Sequence, residues 1–173
     1  MSDKYCSHCN AKIVPARGNS DLLIVGTAPD EIDISKGSPF SSSNTGFFDR
    51  ISAGKILRKE LERVGLSIND FRVMHLWKHE PNKLEECWQD GFDTVLSEAK
   101  GKKAILLIGA DAVEAFTGYK VSDVSGLRVD SSILSAPLIM AMVSPGLAMS
   151  RSVGEVRHGI TKWQQALEKE NLI

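Results

Sequence analysis

Residues 22–40 read LLIVGTAPDEIDISKGSPF, Leu22 to Phe40, and this stretch decides the fold. Its first half is a short apolar run bounded by turn residues, the signature of a strand at about 21–27 buried on both faces of a sheet. In open α/β sheets, the loops at the carboxyl ends of such strands line the ligand crevice, so the segment after Val25 is the first place to look for chemistry. Gly26 permits a backbone path that a side chain would forbid, and Pro29 stiffens the exit. The carboxylates Asp30, Glu31 and Asp33 follow in what reads as an acidic loop, either held near the crevice or lying on the surface.

Working outward, the same apolar pattern recurs three times. Phe71 to Trp77 (FRVMHLW), Ala104 to Gly109 (AILLIG) and Pro137 to Val143 (PLIMAMV) read as strands. Helical stripes separate them. From Asp49, residues Ala53, Leu57, Leu61 and Val64 fall on one face, with Gly65 suited to the C-terminal cap. Asn82 and Glu85 resemble a capping box, ahead of a helix whose buried side is Leu84, Trp88 and Val95. Ala110 to Phe116 starts a helix directly from the third strand, leaving backbone amides open at the crevice edge. Val153, Val156, Ile160, Trp163 and Leu167 form a core stripe on the last helix. Four strands alternating with helices predict a three-layer α/β/α sandwich with a central four-stranded parallel sheet and right-handed crossovers. The chain reads as one domain over 1–173, with a polar segment 1–20 that has no period to anchor it.

At 173 residues, 42% hydrophobic and 25% charged, the chain suits one globular domain with a sizeable core. The net charge of -1 gives no global pull toward nucleic acid or membrane, so any DNA contact must come from local groups. The N-terminus lacks the apolar core of a signal peptide, and no apolar run approaches the ~18 residues of a membrane helix, which predicts a cytoplasmic protein with no membrane partner. Three cysteines cannot make an even disulfide framework. The Cys6-x-x-Cys9 spacing is a common metal-ligand pair in reducing compartments, and a metal would anchor the N-terminal segment.

Three common chemistries are excluded by their motifs. No Gly-x-Gly-x-x-Gly follows a strand, which argues against a dinucleotide fold. Gly54-Lys55 is followed by Ile56 where a phosphate-binding loop needs Ser or Thr for magnesium. There is no Gly-x-Ser-x-Gly elbow for an α/β hydrolase.

The ordered segments resemble one family over nearly the whole chain, the iron–sulfur (family 4) uracil-DNA glycosylases. Its Gly-Glu-Ala-Pro-Gly motif, acidic stretch and Gly-x-Pro-Phe are similar to Gly26-Thr27-Ala28-Pro29, then Asp30, Glu31 and Asp33, then Gly37-Ser38-Pro39-Phe40, with the same Pro-to-Phe distance. Its strand ending Asn-x-x-Lys-Cys-x-Pro resembles His75 to Pro81. Its Leu-Gly-x-x-Ala helix start resembles Ile108 to Ala112, and its final His-Pro loop carrying a Leu resembles Ser144-Pro145-Gly146-Leu147. The order and spacing of the motifs carry the resemblance, rather than any one of them.

The resemblance implies a DNA glycosylase acting as a monomer on single- or double-stranded DNA that contains an altered pyrimidine. The target nucleotide is flipped into a pocket, a wedge fills the gap, and the N-glycosidic bond is hydrolysed. The implied base pocket comprises Gly26, Thr27, Ala28, Pro29, Phe40 and His75, with Phe40 as the stacking face. Leu147 would be the wedge, with Met149 as a substitute. Gly109 and Ala110 at a helix start would hold a flanking phosphate, and Ser43, Asn44, Gly146 and Arg151 complete the expected DNA-facing set. Cleavage builds positive charge on the sugar and negative charge on the base, so Asp30 and Asp33 are candidates for the carboxylate and Ser144 for a group at the base.

Departures from the family fall where base identity is read. The family's Glu is Thr27, its pocket Asn is His75 and its final-motif His is Ser144. They imply either a different base, such as a bulky modified pyrimidine, or a protein that binds such a nucleotide without cutting it. The family's four cluster cysteines fall on Cys6, Cys9, His79 and Cys87, a set that suits one structural zinc at least as well as a [4Fe-4S] cluster. His8 is a rival fourth ligand.

Overall fold

In the computed structural model, the described residues are 4–42, 52–146 and 153–173. Their elements run β1 (Leu22–Gly26), α1 (Glu31–Lys36), α2 (Ala53–Arg63), β2 (Arg72–His75), α3 (Glu85–Ala99), β3 (Ala104–Ile108), α4 (Ala110–Thr117), α5 (Val121–Val124), β4 (Leu138–Met142) and α6 (Gly154–Lys169). The four strands form one sheet in the order β2-β1-β3-β4, and every pairing among them is parallel. The expected sheet is therefore the observed one, within two residues at each strand end.

Side-chain alternation builds the two outer layers. Leu22, Ile24, Val73, Leu106 and Met140 face one side, where Leu57 and Leu61 of α2 and Val156, Ile160, Trp163 and Leu167 of α6 cover them. Leu23, Val25, Met74, Ile105, Leu107 and Ile139 face the other, against Val95 and Ala99 of α3 and Val113 and Phe116 of α4. Strands covered on both faces are apolar at every position, because neither set of side chains meets water. That is why β1, β3 and β4 read as unbroken apolar runs and are buried throughout.

β2 forms an edge of the sheet, and the N-terminal segment covers it. Arg17 pairs antiparallel with Val73 through Arg17 N–H to Val73 O (2.9 Å) and Val73 N–H to Arg17 O (2.7 Å), and Val14 N–H donates to Lys78 O (2.7 Å). This shields backbone groups that would otherwise template aggregation. The segment is thus held to the sheet by backbone hydrogen bonds.

Several local expectations change. The acidic stretch after Pro29 is the short helix α1, with Asp30 as N-cap and Asp33 returning its carboxylate to the Asp30 backbone in a capping box. The Asn82–Glu85 capping box does not form. Asn82 instead accepts from Leu84 N–H (2.9 Å), while Leu84 is the uncapped N-cap of α3 and is exposed rather than buried. Helix α2 starts at Ala53 on the N-cap Ser52, so the part of the expected helix from Asp49 to Ile51 lies outside the described residues. Among the described residues, no helix is long and apolar enough to cross a membrane.

β1 connects leftward to β2 and β3 connects rightward to β4. The crevice at the carboxyl ends of β1 and β3 is therefore the topological switch point, where ligands of such sheets bind.

Candidate functional site

The register Gly26↔His75 places the last residues of β1 and β2 side by side, and the pairing continues through Leu76 N–H to Gly26 O (2.8 Å) and Trp77 N–H to Thr27 O (2.9 Å). His75 packs under Phe40, with ring centroids 4.7 Å apart and planes tilted by 47°. Gly26 makes this possible, since a Cβ there would lie 2.5 Å from His75 Nδ1 and 2.6 Å from Phe40 Cζ.

Phe40 itself is 4% exposed and sits at φ +49°, a left-handed conformation that bulky residues rarely adopt. Its neighbours hold it there. Arg58 Nε donates to Phe40 O (2.7 Å). Ser52 Oγ donates to Ser41 O (3.2 Å). Gly54 brings the start of α2 directly onto this backbone, because a Cβ would meet Ser41 O at 2.2 Å. Strain maintained by so many contacts is characteristic of functional sites.

Beneath Phe40 lies a pair that the sequence did not disclose. His75 Nε2 stands 2.9 Å from Asp33 Oδ2, and both side chains are almost fully buried. Asp33 Oδ1 accepts Ser41 N–H (2.8 Å), and Oδ2 also takes Asp30 N–H (3.4 Å). Asp33 is thus enclosed and fully engaged, and it faces His75 rather than solvent. His75 Nδ1 is buried with no hydrogen-bond partner among the described residues. Leaving such an atom unpaired costs about 1–3 kcal/mol, which makes it a place where a ligand atom would be welcome. The spacing Asp30-x-x-Asp33 was the one sequence signal available here, because it is a capping-box pattern and would have turned Asp33 inward.

Asp30 is the more open carboxylate. Its Oδ1 accepts Asp33 N–H (2.9 Å), and partial burial raises its pKa, a rise to which the adjacent Asp33 charge adds.

Thr27 fills the switch point from the other side. Its hydroxyl donates to Ile108 O (3.2 Å) and accepts Ala112 N–H (3.4 Å), so it occupies one amide of the α4 N-terminus. Gly109 at φ +96° allows this approach, and its absent Cβ would lie 2.6 Å from Thr27 Oγ1 and 3.8 Å from Ser144 Cβ. Ser144 Oγ accepts Gly146 N–H (3.2 Å). Gly26, Thr27, Phe40, His75, Gly109 and Ser144 therefore converge on one edge of the sheet. Ser43, Asn44, Leu147, Met149 and Arg151 lie outside the described residues.

A second cluster stands on the α3 side. The ligand atoms of Cys6, Cys9, His79 and Cys87 all lie within 4.8 Å of one another. Cys6 and Cys9 are carried by a turn closed by Cys6 N–H to Ala11 O (2.8 Å) and Asn10 N–H to Cys6 O (2.8 Å), with Asn10 at φ +61°. His79 Nδ1 lies 2.7 Å from Glu80 O, so it carries its hydrogen there and leaves Nε2, 3.5 Å from Cys9 Sγ, as the free donor atom. His8 N–H donates to Cys6 Sγ (3.4 Å), and His8 supplies no ligand atom to the group. Burial pushes the Cys6 thiol up, but the His8 and Cys9 backbone N–H groups and the neighbouring thiols outweigh it and bring it down to about 6. Burial lifts the Cys87 thiol to about 11. These residues fit a metal. A single tetrahedral ion with thiolates at ~2.3 Å sets its ligand atoms about 3.8 Å apart, and Cys6 Sγ and Cys87 Sγ are 3.7 Å apart.

A family model described as the uracil DNA glycosylase superfamily matches residues 14–166. No curated protein matches the chain.

Proposed function

Because the chain belongs to the uracil-DNA glycosylase superfamily, we propose that it flips a uracil-like or modified pyrimidine nucleotide out of DNA and hydrolyses its N-glycosidic bond, leaving an abasic site. The observation that carries this reading is the convergence, at the switch point, of a strained Phe40, a buried His75 with an unpaired ring nitrogen, and the half-buried carboxylate Asp30.

In this reading Phe40 stacks on the flipped base and His75 meets its edge. Asp30 orients the attacking water and stabilises the cationic sugar, while Asp33 stands behind it and supports His75. Ser144 Oγ, which accepts from Gly146 N–H, keeps its own hydrogen to donate toward the departing base oxygen. Gly109 N–H is already donated to Met142 O (3.0 Å) and is not open to a ligand, which leaves the Ala110 amide at the start of α4 for a flanking phosphate. Leu147 or Met149 is the wedge.

A second reading, a binder that recognises the nucleotide without cutting it, is favoured by Thr27 and Ser144. Both are short hydroxyl side chains turned onto nearby backbone where the family carries Glu and His. Labelled oligonucleotides carrying uracil, hypoxanthine, and hydroxymethylated or glucosylated pyrimidines separate the two. Alkali-labile breaks at one base support hydrolysis. Retarded complexes without breaks support binding, and neither result would remove both readings.

The metal cluster is structural in this reading, tying the N-terminal turn to β2 and α3. The close ligand spacing favours one zinc ion over a [4Fe-4S] cluster, which attaches each ligand to a different iron and spreads them wider. A colourless protein containing one equivalent of zinc supports this choice; a brown protein with broad visible absorbance overturns it.

A further inference from the structure

We infer that Asp33 is a positioning residue that locks the His75 imidazole in one tautomer, so that Nδ1 acts as a hydrogen-bond acceptor reading an N–H on the edge of the flipped base. The inference rests on the base-pocket reading above and adds the polarity of the contact to it.

The argument follows the hydrogens. Asp33 Oδ1 takes the Ser41 N–H at 2.8 Å, and Oδ2 takes the Asp30 N–H at 3.4 Å. A carboxylate already receiving two backbone donors accepts from its third neighbour as well. His75 Nε2, 2.9 Å from Oδ2, therefore carries the hydrogen of that bond. The inferred form is the neutral imidazole, which has one N–H, so Nδ1 presents a lone pair. That atom is buried and unpaired, between the bare Cα of Gly26 and the ring of Phe40. An asparagine at this position would offer a donor and an acceptor together, whereas the locked histidine offers one acceptor.

A single acceptor selects at a single position of the base. A 2,4-dioxopyrimidine carries a hydrogen on ring N3, and a 4-aminopyrimidine carries a lone pair there. The locked tautomer complements the first and repels the second, whatever substituent sits on C5.

The test measures binding to oligonucleotides made non-cleavable by 2′-fluoroarabino sugars. They carry uracil, its N3-methyl derivative or cytosine, and the 5-hydroxymethyl counterparts of uracil and cytosine. Wild-type protein is expected to bind each dioxopyrimidine about tenfold tighter than its N3-methyl or 4-amino partner. In Asp33→Asn, the amide oxygen stays on Ser41 N–H (2.8 Å) and the amide NH₂ turns to His75, giving up the longer 3.4 Å contact with Asp30 N–H. Nε2 then becomes the acceptor and Nδ1 the donor, so the uracil-to-cytosine preference inverts or collapses. In a His75→Ala background, adding Asp33→Asn changes the preference no further.

An unchanged preference in folded Asp33→Asn overturns the inference, as does equal binding of uracil and cytosine by wild-type protein. If Asp33→Asn does not fold, the wild-type comparison decides alone. Discrimination without abasic sites in cleavable DNA would refute hydrolysis and leave this inference standing. Cleavage without discrimination would do the reverse, and binding to none of the oligonucleotides would overturn both.

Discussion

Replacing Gly26 by alanine isolates the packing of His75 against Phe40 on which the proposed base pocket depends. The added Cβ would lie 2.5 Å from His75 Nδ1, 2.9 Å from His75 Cε1 and 2.6 Å from Phe40 Cζ. Each is about 1 Å short of ordinary carbon contact, ~3.5–4.0 Å. Neither ring has an easy retreat. Phe40 is fixed by its backbone contacts to Arg58 and the start of α2, and moving His75 away from Gly26 strains its 2.9 Å bond to Asp33. Overpacking costs about 1–3 kcal/mol, and weakening a buried hydrogen bond adds about 1–3 kcal/mol. In a chain of this length each kcal/mol moves the melting temperature by roughly 2–4 °C, so the summed cost of about 2–6 kcal/mol is expected to lower the melting point of Gly26→Ala by roughly 4–24 °C. Gly37→Ala is the control. It caps α1 at φ +66° with no atom within 4 Å of the added Cβ, so it carries only the left-handed backbone cost, about 1–2 kcal/mol. Thermal melts followed by circular dichroism, with DNA binding measured in parallel, make the comparison. A Gly26→Ala protein that melts with wild type and binds DNA unchanged would refute the packing argument.

Asp30→Asn is expected to abolish base release while leaving DNA affinity within about twofold; wild-type turnover would remove Asp30 from the chemistry. Because burial and the Asp33 charge raise the Asp30 pKa, the acid limb of the wild-type rate profile should lie above the ordinary aspartate value of about 3.9. Glu60 is a buried carboxylate held by Arg63 Nε (2.8 Å) and by Arg157 Nε and Nη2 (both 3.1 Å), which join α2 to α6. Burial alone would raise its pKa, but the two guanidinium groups outweigh it and hold it below the usual range. Its contribution is thus present above the unfolded value of about 4.3 and is lost as pH falls through the lower folded value. Glu60→Gln should cost about 1–2 kcal/mol at pH 7, discounted because both arginines are solvent-exposed, and the gap from wild type should close below about pH 4 in denaturant melts. Stripping the metal, or Cys87→Ser, should lower the melting temperature and expose residues 4–17 to limited proteolysis; an unchanged melt and digestion pattern would count against a structural ion.

The parts of the fold legible in the sequence are those set by local periodicity. Val25, Leu106 and Met140 sit in unbroken apolar runs because strands with helices on both faces meet no water, and the Val156-to-Leu167 stripe reads directly as the buried face of α6. Short elements escaped. α1 has six residues, too few for an apolar stripe, and is defined by caps at Asp30 and Gly37. Asn82 shows the opposite error, where a capping pattern is used for a turn and a contact to Cys87 Sγ (3.5 Å).

The site divides in the same way. The family resemblance grouped Gly26, Phe40 and His75 from the order of their motifs, and Cys6, Cys9, His79 and Cys87 as one ligand set; the structure brings the members of each group together. Their polarity and exposure depend on distances across the sheet. The parallel register that sets Gly26 beside His75, and the cap that turns Asp33 inward, join residues 42 apart in sequence into a buried pair. Only the tertiary structure decides that Asp33 supports a histidine while Asp30 stays open, since hydrogen bonds select by position and the sequence carries no coordinates.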